Sequence, residues 1–177
     1  MTKNGSGTNM GICLLYAVPV VGAGGIYDGR GLAMALSYGA DAVWIGTRFV
    51  ATHEAGASMG HKEAILSAEY ETARPTLVYS GRPLRTLRNE YVAEWEGQRA
   101  GEMKRLLEQG IVPRDVDKEN RKRQTFGYQL GDRHFAGVVA GSINDIKFAK
   151  DVVHEMMTQC IQCLKRDRGR IRILSKL

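Results

Sequence analysis

Two glycine-bearing turns, Gly22-Ala23-Gly24-Gly25 and Gly46-Thr47-Arg48, hold the residues of this 177-residue chain whose types could do chemistry together. A turn nearly devoid of side chains lets a ligand approach the backbone and lets successive N–H groups face one anion. The second turn adds a hydroxyl and a guanidinium. One such turn alone needs no ligand to explain it, because glycines routinely make tight connections between strand and helix. Two of them, one helix apart, read as a phosphate cradle. The dinucleotide fingerprint is absent: no third glycine follows at the required spacing, and no acidic residue follows the second strand. A flavin or sugar monophosphate therefore fits better than NAD.

The elements that must position these turns are legible around them. Val18-Pro19-Val20-Val21 reads as a short strand opened by a proline, which need not donate to a ladder. Asp28 is the expected N-cap of a helix over 29–38, with Leu32, Ala33, Leu36 and Ala40 near helical spacing and Gly39 at the C′ position. Asp41-Ala42-Val43-Trp44-Ile45 is the next strand, apolar as a parallel strand covered on both faces should be. Strand, helix and strand make a right-handed βαβ unit. Both turns then emerge at the carboxyl edge of the sheet, where α/β proteins bind ligands.

The run VPVVGAGGIYDGRGLAMALSYGADAVWIGTRFVATHEA closely resembles the end of the flavin barrel of the nitronate monooxygenase family, also called 2-nitropropane dioxygenases. The resemblance continues in Lys62-Glu63-Ala64-Ile65-Leu66, in Ser80-Gly81-Arg82-Pro83 with Arg85, Leu87, Arg88 and Asn89, and in residues 136–143, AGVVAGSI. It spans most of residues 18–165. It implies an α/β fold: an incomplete (β/α)8 TIM-barrel fragment holding strands 7 and 8, followed by a mostly helical C-terminal part. The implied cofactor is FMN, its phosphate at the loops after those strands. Carried over residue by residue, the flavin contacts are Gly24, Gly25, Ile45, Gly46 and Thr47. The implied activity is oxidative denitrification of a small alkyl nitronate with O2. Flavin-dependent enoyl reductases and inosine-monophosphate dehydrogenases share the glycine loops, but the later arginine-asparagine segment favours the nitronate family.

The same resemblance marks what is not found. The family's proposed base is a histidine in a glycine-rich loop of an earlier strand, and His53, His61, His134 and His154 all stand in other contexts. No catalytic residue is carried over. A complete barrel needs about 250 residues, and seventeen precede the first recognisable strand. The expected organisation is a disordered or remnant segment over 1–17, the C-terminal portion of a flavin-binding barrel over 18–165, and a basic tail over 166–177. An open two-strand piece leaves edges and apolar faces that helices, a homo-oligomer or a complementary barrel fragment would have to cover. A truncated paralogue acting as a non-catalytic interaction partner is the alternative function.

Composition narrows the partners. No apolar run approaches the roughly 20 residues of a membrane span, so no membrane partner is expected and a cytoplasmic location is the default. Cys13, Cys160 and Cys163 form no disulfide framework, and a lone Cys160-x-x-Cys163 has no second ligand pair, so thiols and no metal are expected. The net charge of +6 gathers at Arg121-Lys122-Arg123 and at Lys165, Arg166, Arg168, Arg170, Arg172 and Lys176, a tail without interleaved aromatics. That favours a solvated face over nucleic-acid binding.

Elsewhere, a short helix is expected from Phe49, with Thr47 as its cap and Glu54 neutralising Arg48 or a backbone amide. A helix over 61–71 ends at Pro75, a strand covers 76–79, and helical spacing runs from Leu84 to Gln109 with a break at 97–101. Arg85, Arg88 and Asn89 are expected to cap helices and pair with Glu90 or Glu94. Residues 115–131 are charged enough to read as an exposed loop or short helix. The last helix runs from Asn144 or Asp145 to Lys165, its core face formed by Ile146, Ala149, Val153, Met156, Met157 and Ile161.

Overall fold

A computed structural model describes residues 18–119 and 133–170. The expectations for residues 1–17, for Arg121-Lys122-Arg123 and for residues 171–177 lie outside them. The chain divides into two compact units, Met1–Glu54 with Lys147–Leu177, and Ala55–Ile146.

The first unit is built on β1 (Val21–Ala23) and β2 (Ala42–Trp44), parallel and in register Val21↔Ala42, Gly22↔Val43, Ala23↔Trp44. Pairing starts later than the 18–21 strand the sequence suggests. Pro19 has no N–H to give, and the chain is first gripped at Val20, whose carbonyl accepts from Asp41 N at 2.8 Å while its N–H donates to Asp41 Oδ2 at 2.7 Å. Between the strands runs α1 (Gly29–Ser37). Asp28 Oδ1 accepts from Gly31 N at 2.9 Å as its N-cap. Gly39, at φ +89°, ends the helix as expected, and Ala40 N then reaches Ala35 O at 3.1 Å. After α2 (Thr47–Val50) the unit resumes with α7 (Ala149–Arg170).

The core of this unit lies between α1 and α7: Ile26, Leu32, Ala33, Ala35 and Ala40 pack against Val152, Met156 and Cys160. The two helices meet at Gly29, where an added Cβ would lie 2.4 Å from both Gln159 Cβ and Met156 O. Of the face predicted for the last helix, Met156 is in this core, whereas Val153, Met157 and Ile161 are 49%, 50% and 46% exposed. Apolar residues cover an arc of α7 wider than one contact stripe, so periodicity alone does not say which edge turns inward; the close approach at Gly29 does. The helix also begins at Ala149 rather than 144 or 145, because Lys147 is held in a parallel bridge with Thr52.

In the second unit α3 (Met59–Leu66) is capped by Ser58, whose Oγ accepts from His61 N at 3.2 Å. It is shorter than the 61–71 expected, and Pro75 is not its stop. Pro75 lies inside β3 (Ala73–Thr76), which pairs antiparallel with β4 (Leu84–Leu87). Residues 84–87 therefore form a strand where helical spacing was expected. Leu-Arg-Thr-Leu carries apolar residues three apart, compatible with a helix turn, but its backbone is claimed by β3. Then come α4 (Glu90–Glu96), α5 (Ala100–Glu108), α6 (Pro113–Glu119) and a 3-10 turn over Val138–Ser142. Ile65, Val78, Trp95, Pro113, Ala140 and Ile143 are among the fully buried apolar residues of this unit.

Candidate functional site

The register Ala23↔Trp44 brings both glycine turns to one edge of the parallel pair. Gly24 and Gly25 follow β1 at φ +82° and +74°, left-handed backbone that side-chain-bearing residues resist. Gly46 follows β2 as the N-cap of α2 at φ −102°. A Cβ added at Gly24, Gly25 or Gly46 would meet nothing within 4 Å, so open space lies over both turns. A compact dianion can approach main chain there, and the residues fit a phosphate on that ground.

Three further residues behave differently from expectation. Ile45 is half-buried with its side chain packed against the α1–α7 core. Thr47 is the first residue of α2 and not its cap. Arg48 is 6% exposed and donates from Nη2 to Ala51 O at 3.1 Å, so its guanidinium is tucked under α2. Glu54 takes one of the two roles foreseen for it: both its oxygens accept from Ala149 N, at 3.0 and 2.9 Å. That backbone hydrogen bond holds its carboxyl below the ordinary carboxylate range.

Neither histidine of the first unit joins these turns in a base-and-orienter arrangement. His53 is exposed with its ring 4.6 Å from that of Phe148, and His154 is exposed on α7. In the second unit His61 Nε2 lies 2.9 Å from Phe135 O and its ring stacks at 5.0 Å on His134, a pairing across 73 residues that no local pattern announces. Asn89 does cap a helix, its Oδ1 accepting from Val92 N at 2.9 Å, while Arg85 Nη1 donates to Ala73 O at 2.6 Å.

The group that sequence reasoning missed is Asp117. It is buried inside the stretch expected to be exposed, and it accepts from Tyr91 OH and Trp95 Nε1, each at 3.0 Å, and from Arg99 Nη1 at 3.0 Å. Arg99 also grips Glu102 at 2.8 Å. Burial pushes the Tyr91 phenol well above its ordinary value. Every donor here is internal to the unit, so the cluster ties α4 and α5 to α6. The four-residue spacing of Tyr91, Trp95 and Arg99 was the available signal.

A parallel strand-helix-strand unit with bare turns open at its carboxyl edge is the ligand-binding arrangement of an α/β enzyme. The chain belongs to the nitronate monooxygenase family, whose model matches residues 11–161. It is 30% identical over 155 residues to a nitronate monooxygenase of Paraburkholderia phytofirmans, covering 88% of this chain and 40% of that one. Among solved structures it is similar to FabK from Thermotoga maritima, with a TM-score of 0.69 and 30% identity over 92% of this chain and 50% of that chain. It is likewise similar to a nitroalkane oxidase from Streptomyces ansochromogenes, with a TM-score of 0.65 and 27% identity over 89% of this chain and 43% of that chain. The α/β fold is thus that of TIM-barrel-family enzymes, and the chain spans half or less of the length of these relatives. Among the described residues, no helix is long and apolar enough to cross a membrane.

Proposed function

We propose that this chain carries the FMN-phosphate site of a nitronate monooxygenase-type oxidoreductase, as the C-terminal portion of its barrel over residues 18–165, working in the cytoplasm on a small alkyl nitronate. Gly24, Gly25, Gly46 and Thr47, with the main chain of Ile45, would surround the phosphate. The observation that carries this reading is the open space above two bare turns at one sheet edge. Bound there, FMN would supply the redox chemistry of oxidising the nitronate, as cofactors generally do. The chain's own contribution is to grip and orient: left-handed glycines let main chain approach the anion, and the parallel pair fixes the spacing between the turns. None of its residues is assigned proton transfer.

The test is titration of the purified chain with FMN, followed by flavin fluorescence, in wild type and Gly46→Leu. The substitution sits at negative φ in open space and should leave the fold unchanged by circular dichroism. Binding is expected to weaken about tenfold or more, as a Cβ and beyond occupy the anion's place. Equal affinity in both proteins would refute the site.

A second reading, that the chain also serves as an interaction partner of a complementary barrel fragment or of itself, is favoured by the exposure of Val18, Val21 and Trp44 on and beside the two-stranded sheet. Among the described residues that sheet has no third strand.

A further inference from the structure

The second glycine turn is held locally through Gly46 O, which accepts from Phe49 N at 2.9 Å and from Val50 N at 3.2 Å. It opens α2, a helix of four residues that is too short to persist unaided. Gly46 brings no side-chain cap to its start. The residues after it, by contrast, are fastened one after another. Arg48 Nη2 donates to Ala51 O at 3.1 Å and Thr52 Oγ1 to Phe49 O at 2.8 Å, which satisfies carbonyls at the end of α2. Thr52 then bridges to Lys147, and His53 N donates to Lys147 O at 3.0 Å. Last in the row, Glu54 receives Ala149 N on both oxygens at 3.0 and 2.9 Å. Ala149 begins α7, the 22-residue helix that sends Val152, Met156 and Cys160 into the core. Residues 48–54 are therefore a strap from the open turn to the helix that anchors the unit.

We propose that Glu54 is a positioning residue for the second glycine turn: by clasping the first amide of α7 it moors the strap, and through the strap it fixes Gly46 and Thr47 where they meet a phosphate. This rests on reading the turns as a phosphate site. A carboxylate is favoured there because the start of a helix presents unsatisfied N–H groups and positive charge. Glu54 itself is exposed, so its removal leaves no buried cavity. What it removes is the end point of the strap.

The experiment compares wild type, Glu54→Ala and Glu54→Gln in the full chain by amide hydrogen exchange and by fluorescence titration with FMN and with riboflavin, which lacks the phosphate. In Glu54→Ala, amides of residues 46–54 should exchange about tenfold faster while those of α1 are unchanged. FMN should bind about tenfold more weakly and riboflavin should change by about twofold or less, because only the phosphate end depends on the turn. Glu54→Gln keeps an acceptor and should fall between, separating lost mooring from general damage. Unchanged exchange in 46–54, or equal losses for FMN and riboflavin, would overturn the proposal. Should wild type bind no FMN, the phosphate site itself fails; exchange alone then decides the strap, faster exchange supporting it and unchanged exchange ending it.

Discussion

Gly29 and Gly46 sit in the same unit, yet a methyl group added to each meets opposite surroundings. At Gly29 the new Cβ would be 2.4 Å from Gln159 Cβ and Met156 O and 2.7 Å from Cys160 N, all on α7. Two of the three are backbone atoms, which cannot swing away. Gly29→Ala should therefore force α1 and α7 apart and cost about 2 kcal/mol or more, read as a lowered urea midpoint. Gly46→Ala meets nothing within 4 Å at a φ any residue accepts, so its stability should stay within about 0.5 kcal/mol of wild type. The Asp28 cap and the Gly39 stop were legible in the sequence because their partners lie within a few residues. The role of Gly29 was not, since Gln159, whose Oε1 accepts from Gly29 N, is 130 positions away along the chain.

At the scale of elements, Asp117 shows how a local pattern misleads. Its neighbours Asp115 and Lys118 are exposed and pair with each other at 2.9 Å, which is how the whole segment reads in sequence. Asp117 points the other way, into donors supplied by α4 and by Arg99, and only their arrangement makes a buried carboxylate tolerable. Asp117→Ala strands Trp95 Nε1 and takes from Arg99 one of its two carboxylate partners, so it should destabilise the protein by about 3 kcal/mol or more in chemical denaturation. The start of α7 responds to pH with a definite sign. Glu54 is held below the ordinary carboxylate range by its bond to Ala149 N, so it stabilises the folded chain above that range. The contribution is lost as pH falls through the folded-state value. Amides at the start of α7 should lose exchange protection on acidification in wild type more steeply than in Glu54→Gln, once intrinsic exchange rates are divided out. Parallel slopes would show that the bond carries no charge dependence.

For the whole molecule, the question is what becomes of the apolar surface that packing leaves uncovered. Trp44 is 73% exposed, and along α7 Val153, Met157, Ile161 and Leu164 form a second stripe beside the buried one of Val152, Met156 and Cys160. The paired turns were readable from glycine spacing, and so was the total of apolar residues; which stripe of α7 stayed in solvent was decided by tertiary contact. Exposed stripes of this kind favour association. The net charge of +6 opposes it, and that repulsion is screened within about 10 Å at 0.1 M salt. Sedimentation velocity should therefore show mass rising with protein concentration, more strongly at high salt than at low. Met157→Lys with Ile161→Lys should suppress that rise without altering the unfolding free energy measured in urea by more than about 0.5 kcal/mol, because neither side chain belongs to the core cluster. A single species of one chain's mass at every concentration and salt would mean that the stripe is merely solvated, and would remove the support for an interaction role while leaving the phosphate site untouched.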